Sequence, residues 1–138
     1  MSGENNTDMN SNPSTNQKTI VTSIENRIQF LNLLKSNPGI IIIKFGAEWC
    51  GPCKIIKDAV YNNFKQMPEN VICADINITH NFDVYTFLKS KRMINGIPAI
   101  FAYYSDNTSF VPSDSVVGAD IPKINEFFNN CNEYAKSQ

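Results

Sequence analysis

The sequence has no long apolar run, no marked excess of charge and no recognisable secretion signal. Its apolar runs, such as Ile40–Ile43, are far shorter than the roughly 20 residues that a membrane-spanning helix needs. The 12 lysines and arginines oppose 13 aspartates and glutamates, so the formal net charge is −1. No strong field therefore attracts nucleic acid or an anionic membrane, and we expect neither as a partner.

Cysteine and histidine are also scarce, at four residues and one residue. Zinc normally takes four such ligands, whereas this chain offers one CxxC pair, Cys50 and Cys53. The other candidates are Cys73, Cys131 and His80. Cys73 in a predicted strand and Cys131 on an apolar helix face are small core residues, and His80 is an ordinary residue beside a helix start. We therefore expect no metal site.

Four cysteines without a secretion signal also bear on location, because disulfide frameworks belong to secreted proteins. We expect a reducing, cytoplasmic setting, in which a CxxC pair is redox-active or binds a metal.

The length and composition fit one small globular domain. The chain has 138 residues, of which 42% are hydrophobic and 18% are charged. Residues 1–17 contain almost nothing apolar except two methionines, and such a segment cannot bury enough surface to offset its ordering entropy. We predict a disordered tail over 1–17 and one folded, monomeric domain over 18–138.

Hydrophobic periodicity predicts alternating strands and helices. Strands are predicted at 19–21, 40–45, 71–78, 99–104 and 115–117. Helices are predicted from a capping box at Thr22 and Glu25 to Ser36, from Pro52 to Met67, from Phe82 to Leu88, and after an N-cap at Asp120. The order βαβαβαββα indicates an α/β fold in which helices cover both faces of a mixed central sheet.

Helical spacing also predicts which residues of the first and third helices face the core. The first face comprises Ile24, Ile28, Leu31 and Leu34, and the other comprises Phe82, Tyr85 and Leu88, with Val84 and Phe87 beside them. The strand at 40–45 is apolar at every position except Lys44, as in a strand covered on both faces. We therefore expect this strand at the centre of the sheet.

The junction between this strand and the second helix carries Cys50 and Cys53. A strand that ends near Phe45 and a helix that begins near Pro52 place Cys50 at a helix N-terminus. Unpaired N–H groups and the helix dipole favour an anion there. The Cys50 thiol should therefore ionise more readily than a free cysteine. Cys53 lies one helical turn further on, within disulfide reach and more buried.

This arrangement predicts a two-step dithiol reaction. The exposed Cys50 attacks a substrate disulfide and forms a mixed disulfide. The shielded Cys53 then attacks Cys50, which releases the reduced product and leaves an intramolecular bond. Gly51 lets a partner chain approach closely, and Pro52 fixes the helix start.

The residues around this pair resemble the thioredoxin active site. The run WCGPCK at 49–54 follows Phe45 and Ala47, as it does in that family. Gly96-Ile97-Pro98 is similar to the cis-proline loop of thioredoxins, and Gly118 to the glycine that borders their substrate surface. The element order from about residue 18 to residue 135 also fits the thioredoxin fold.

The resemblance implies a thiol–disulfide oxidoreductase that reduces disulfides in other proteins. Cys50 is then the nucleophile and Cys53 the resolving thiol, with Pro98 cis and facing the pair. No cofactor is bound, and the electrons come from NADPH through a thioredoxin reductase.

The resemblance also implies a surface that binds the substrate protein. The backbone of Ile97 would pair with substrate as an added strand. An apolar patch beside a nucleophile marks protein recognition. We call this patch the docking surface; it comprises Trp49, Gly51, Pro52, Ile97, Pro98 and Gly118.

One departure from the thioredoxin pattern lies inside the predicted central strand. Thioredoxins usually carry a buried aspartate at the position of Lys44, and that carboxylate helps to move the proton of the resolving thiol. Lys44 either lowers the pKa of Cys53 or acts as a neutral base. Alternatively, it turns its ammonium to water or pairs with an acid such as Glu48.

Two further departures concern the scaffold. Asp58 stands where the second helix of the family often has a kinking proline, which predicts a straighter helix. The segment from Pro98 to Gly118 is a few residues longer than usual, which predicts a longer hairpin around 107–114.

Two other functions stay open on the sequence alone. The fold could serve as a protein-binding or assembly module with vestigial redox chemistry, which Lys44 and the polar tail favour. An oxidase or isomerase of the protein disulfide isomerase type fits less well, because Gly-Pro between the cysteines is more typical of reducing members.

Overall fold

The computed structural model describes residues 18–138, which form a five-stranded sheet and four helices. The strands are β1 (Ile20–Val21), β2 (Ile40–Gly46), β3 (Val71–Asn77), β4 (Ala99–Tyr104) and β5 (Asp114–Val117). The helices are α1 (Arg27–Lys35), α2 (Gly51–Gln66), α3 (Phe82–Ser90) and α4 (Ile121–Lys136). The predicted order of elements is confirmed. The predicted tail, 1–17, lies outside the described residues.

The sheet is mixed, with the strand order β1-β3-β2-β4-β5. β3 runs parallel to β1 and β2, whereas β4 runs antiparallel to β2 and β5. β2 lies at the centre, as its apolar sequence predicts, and every one of its residues is buried. Phe45 pairs with Ala99, so the chain leaves β2 and enters β4 at the same edge of the sheet.

Alternate side chains of β2 build two hydrophobic clusters, one on each face of the sheet. Ile41, Ile43 and Phe45 pack with buried residues of α1 and α3. Ile40 and Ile42 pack with buried residues of α2 and α4. Both faces are therefore covered by helices, and β2 is held rigidly between them.

The predicted capping box at Thr22 and Glu25 is wrong, because α1 begins later, after the N-cap Asn26. The Asn26 side chain accepts a hydrogen bond from the backbone N–H of Gln29 at 2.9 Å. Asparagine caps helices as well as threonine does, so the local signal was ambiguous.

The later start also changes the buried face of α1. Ile28 is 68% exposed, whereas Phe30 and Leu34 are buried. Ile24 is buried from the segment before the helix, where its backbone N–H donates to the side-chain oxygen of the buried Asn81 at 2.9 Å. That contact with a distant residue keeps the segment extended.

The predicted face of α3 is correct except at its first residue. Val84, Phe87 and Leu88 are buried, whereas Phe82 is 67% exposed. A residue two positions before Val84 points to the opposite side of a helix, so Phe82 faces away from the sheet.

The predicted N-cap of the last helix is confirmed. The Asp120 side chain caps α4 by accepting a hydrogen bond from the backbone N–H of Lys123 at 3.1 Å. α2 runs without interruption through Asp58. Of the helices in the described part of the chain, none has the length and apolar character to cross a membrane.

The connection between β4 and β5 is long, as the sequence predicts, and spans residues 105–113. The Tyr103 hydroxyl donates to the Phe110 carbonyl at 2.8 Å, and the Asn107 side chain donates to the Val111 carbonyl at 2.7 Å. The Phe110 ring packs edge-on against Phe87 of α3, with 5.5 Å between ring centroids. The loop is therefore fixed against the body of the protein.

Candidate active site

The cysteine pair lies where β2 ends and α2 begins. Cys50 is the N-cap of α2, and its Sγ accepts a hydrogen bond from the backbone N–H of Cys53 at 3.1 Å. The predicted position of Cys50 at a helix N-terminus is therefore confirmed. A hydrogen bond to a thiolate is stronger than one to a neutral thiol, so this contact favours ionised Cys50.

Cys50 and Cys53 are joined by a disulfide, with their Cα atoms 5.3 Å apart. The predicted difference in exposure is wrong for this oxidised form, because Cys50 is 5% exposed and Cys53 is 4% exposed. The Cys50 sulfur thus lies at the first turn of α2, bonded to its partner. The structure therefore shows the state that follows a completed dithiol reaction.

The Pro98 loop leaves the sheet at the same edge as the cysteine pair, because Phe45 and Ala99 are partners. The Ile97–Pro98 peptide bond is cis. Gly118 donates its backbone N–H to the Pro98 carbonyl at 2.9 Å, and its φ of +93° is one that residues with a Cβ rarely adopt. This bond holds the end of β5 against the Pro98 loop.

The docking surface is uneven in exposure. Trp49 is 70% exposed, and Gly51 and Pro52 are exposed beside it. Ile97 is half-buried and Pro98 is buried. The most exposed part of the docking surface is therefore Trp49 with the first turn of α2, and the Pro98 loop is more buried.

Val117 is an exposed apolar residue that the sequence reasoning missed. It is 60% exposed and lies beside Gly118, at the end of β5 that reaches the Pro98 loop. The period of two along a strand was the available signal, since Val116 packs into the core cluster under α4 and its neighbour must face outward.

Beneath the disulfide, Lys44 forms a buried ion pair with Asp75 of β3. The Lys44 Nζ lies 3.4 Å from the Asp75 Oδ1, and the lysine side chain is only 8% exposed. The hydroxyl of Tyr61 donates to the Asp75 Oδ2 at 2.6 Å. The alternative in which Lys44 pairs with an acid is therefore confirmed, but the acid is Asp75 and not Glu48. The parallel register sets Asp75 beside Lys44, and Glu48 instead lies 3.8 Å from His80.

Tyr61 keeps its proton throughout the neutral range. Burial, together with the hydrogen bond to Asp75, raises the pKa of Tyr61 to about 12. Its hydroxyl is therefore a lasting donor to the carboxylate. An open cleft beside this network is lined by Lys44, Asp75 and Cys53.

Cys73 and Cys131 are free thiols buried in the core, as predicted. Burial raises the pKa of each thiol to about 12. A neutral, covered thiol is a poor nucleophile. These two residues are therefore excluded from the redox chemistry of the folded protein.

Alkylation of the reduced protein near pH 8 should label Cys50 quickly and leave Cys73 and Cys131 unmodified, as read by peptide mass spectrometry. The same reagent in guanidinium should label all four cysteines, which is the control. Rapid labelling of Cys73 in the folded protein would show that its burial does not protect it.

Metal-ligand geometry is lacking in the part of the chain that the structure covers. Within residues 18–138, no three His, Cys, Asp or Glu side chains are grouped so as to hold an ion. His80 and Glu48 are strongly exposed, and their 3.8 Å contact is that of a surface pair.

The comparison with known proteins agrees with this geometry. The family model described as Thioredoxin matches residues 9–129. The chain is 31% identical to thioredoxin 3 of Plasmodium falciparum, over 70% of this chain but only 51% of that protein. It is 30% identical to the thioredoxin of Coprinus comatus, over 73% of this chain and 88% of that protein.

Solved structures show the same fold. The thioredoxin of Fasciola hepatica matches with a TM-score of 0.63 at 22% identity, covering 80% of this chain and 98% of that one. The thioredoxin of Malassezia sympodialis matches with a TM-score of 0.62 at 22% identity, covering 85% and 97%.

Proposed function

This chain belongs to the thioredoxin family and carries a thiol–disulfide oxidoreductase site, and we propose that it reduces disulfides in other proteins. The observation that carries the proposal is the Cys50 sulfur, which caps α2 and is bonded to Cys53. Reduction by a dithiol needs one ionised sulfur to attack and a second to resolve, and this geometry provides both.

The reaction transfers two electrons and two protons to the substrate. The Cys50 thiolate attacks one sulfur of the substrate disulfide; that S–S bond breaks, and its electron pair leaves with the second substrate sulfur. Cys53 then loses its proton and attacks the Cys50 sulfur. The Cys50–Cys53 bond forms, and the substrate departs as a dithiol.

The exposed apolar residues support a protein as the substrate. Trp49 and Val117 are 70% and 60% exposed, and exposed apolar side chains near a nucleophile favour contact with another chain. In this proposal Ile97 offers its backbone to an extended substrate segment, and Gly51 and Pro52 allow that segment to approach the sulfur.

The cycle closes when a thioredoxin reductase returns electrons from NADPH to the disulfide, so the protein needs no bound cofactor of its own. We place it in the cytoplasm as a monomer. The two free thiols of the described domain, Cys73 and Cys131, support a reducing setting.

Trapping with Cys53→Ser tests the proposal. Without the resolving thiol, the mixed disulfide on Cys50 should persist, so incubation with a model protein disulfide should give a covalent adduct that a reductant dissolves. The matched control is Cys50→Ser/Cys53→Ser, which should give no adduct. If Cys53→Ser forms no adduct either, Cys50 is not the attacking group.

A protein-binding or assembly module is the second candidate, because Lys44 replaces the aspartate usual in the family. This function predicts that Cys50→Ser/Cys53→Ser still binds the natural partner. Turnover of a protein disulfide by the unmodified chain would decide for the enzyme.

A further inference from the structure

Lys44, Asp75 and Tyr61 form a chain of polar groups in the space between the sheet and α2. Lys44 shares the α2 face of β2 with Ile40 and Ile42, because alternate residues of a strand face the same way. The parallel register then sets Asp75 of β3 directly beside it. Tyr61 reaches the carboxylate from α2 itself.

Among these three polar residues, Lys44 is the one that lies near Cys53. Gly46 lies two residues after Lys44 on the same face of β2. A Cβ placed on Gly46 would lie 3.2 Å from the Cys53 Sγ and 3.4 Å from the Lys44 Cε. The resolving sulfur and the Lys44 Cε therefore border the same space above the backbone of Gly46.

We propose that Lys44 is a positioning residue of the resolving step, whose ammonium, fixed by Asp75, stabilises the thiolate of Cys53. This inference rests on the proposed function, since it concerns the second half of that reaction. It gives the charge reversal at this position a definite role: a cation replaces the carboxylate usual in the family at the β2 position that borders the same space as the resolving sulfur.

The two oxygens of the Asp75 carboxylate contact different residues. One oxygen faces the Lys44 ammonium at 3.4 Å, and the other accepts the Tyr61 hydroxyl at 2.6 Å. Asp75 thus bridges the Lys44 ammonium and the Tyr61 hydroxyl and holds the ammonium in place. Tyr61 keeps its own proton at neutral pH, because its pKa is raised to about 12.

The remaining charges around the cleft are exposed. Lys54 and Lys57 project from α2, and Glu48 from the loop before it, all into solvent. Water and salt screen exposed charges, whereas the Lys44 side chain is only 8% exposed and is screened less. Lys44 is therefore the least exposed of the charged groups that line the cleft with Cys53.

The step balances without another reactant. Cys53 gives its proton to water in the cleft and becomes a thiolate. The thiolate attacks the Cys50 sulfur of the mixed disulfide, the bond from Cys50 to the substrate breaks, and the electron pair leaves on the substrate sulfur. That sulfur takes a proton from water.

The test reads the Cys53 thiolate directly, by its ultraviolet absorbance during a pH titration of the reduced Cys50→Ser protein. Cys73 and Cys131 do not interfere, because their pKa values are about 12. Adding Lys44→Met should raise the pKa of Cys53 by about one unit or more, which is about tenfold less thiolate at neutral pH. The matched control Lys57→Met removes an exposed cation from the same cleft and should shift the titration far less.

Asp75→Asn gives a prediction of opposite sign. Removing the carboxylate leaves the ammonium uncompensated, so the pKa of Cys53 should fall. If Asp75 instead acted as the proton acceptor, this variant would slow resolution and would not increase the thiolate. The inference is overturned if Lys44→Met and Asp75→Asn shift the pKa of Cys53 in the same direction. It is also overturned if Lys44→Met leaves that pKa unchanged.

The exchanged pair Lys44→Asp/Asp75→Lys covers the case in which a single substitution fails to fold. It keeps an ion pair between the strands but turns the carboxylate toward Cys53, and the pKa of that thiol should rise above its value with Lys44. A fall would contradict the proposal. Because the titration involves no turnover, its outcome is independent of whether the chain reduces protein disulfides, so the two proposals fail separately.

Discussion

Cys50→Ser should abolish the reduction of protein disulfides, with a loss of about a thousandfold or more that leaves only the uncatalysed rate. Serine keeps the N-cap hydrogen bond of α2, since hydroxyl oxygens cap helices well. The fold should therefore be retained while the only sulfur placed to attack a substrate is lost. The measurement is NADPH-coupled turnover of a model protein disulfide in the presence of a thioredoxin reductase.

The control for this variant is Cys73→Ala. It removes a thiol of β3 that is buried beneath α2. Its turnover should stay within about twofold of the unmodified protein, because a thiol that remains neutral takes no part in exchange. Substantial turnover by Cys50→Ser would mean that another thiol begins the reaction.

Phe45→Ala should destabilise the fold by about 3–5 kcal/mol, which is a large part of the total stability of a domain of this size. Phe45 is fully buried at the end of β2, and its ring packs edge-on against Phe101 with 5.5 Å between centroids. Truncation leaves a cavity between the sheet and the helices α1 and α3, and the surrounding structure relaxes only partly into it. Denaturant unfolding followed by circular dichroism gives the change in free energy.

Phe82→Ala is the matched control, as the same substitution at an exposed site. Phe82 is 67% exposed on α3, so its truncation should change the free energy of unfolding by less than about 0.5 kcal/mol. Equal losses from the two variants would contradict the burial of Phe45 or the exposure of Phe82.

The sequence predicts the sheet and the cysteine pair well because those features depend on local patterns. The isoleucine run before Lys44 fits only a strand covered on both faces, and β2 is that strand. A strand end and a helix start on either side of Cys50 leave it one place, the N-cap, where the structure has it.

The features that the sequence did not predict depend on contacts between distant segments. The partner of Lys44 follows from the parallel register of β2 and β3, so the sequence indicated a pairing with an acid but did not identify Asp75. The segment before α1 is held by Asn81, which follows β3 in the chain. Its side-chain oxygen accepts a hydrogen bond from the backbone N–H of Ile24. Such contacts are fixed only when the whole sheet is assembled.

The exposure of Cys50 was mispredicted. A helix N-terminus at a sheet edge is normally open to solvent, but Cys50 is bonded to Cys53 and is only 5% exposed.

The most direct test of the central claim is the rate of Cys50 alkylation across a pH series in reduced Cys53→Ser protein. The backbone N–H that donates to the Cys50 sulfur is unchanged in this variant, so the helix N-terminus should still favour the thiolate. The account predicts an apparent pKa at least about one unit below the roughly 8.5 of a free cysteine. A profile identical to that of an unstructured peptide with the sequence of residues 47–54 would contradict it.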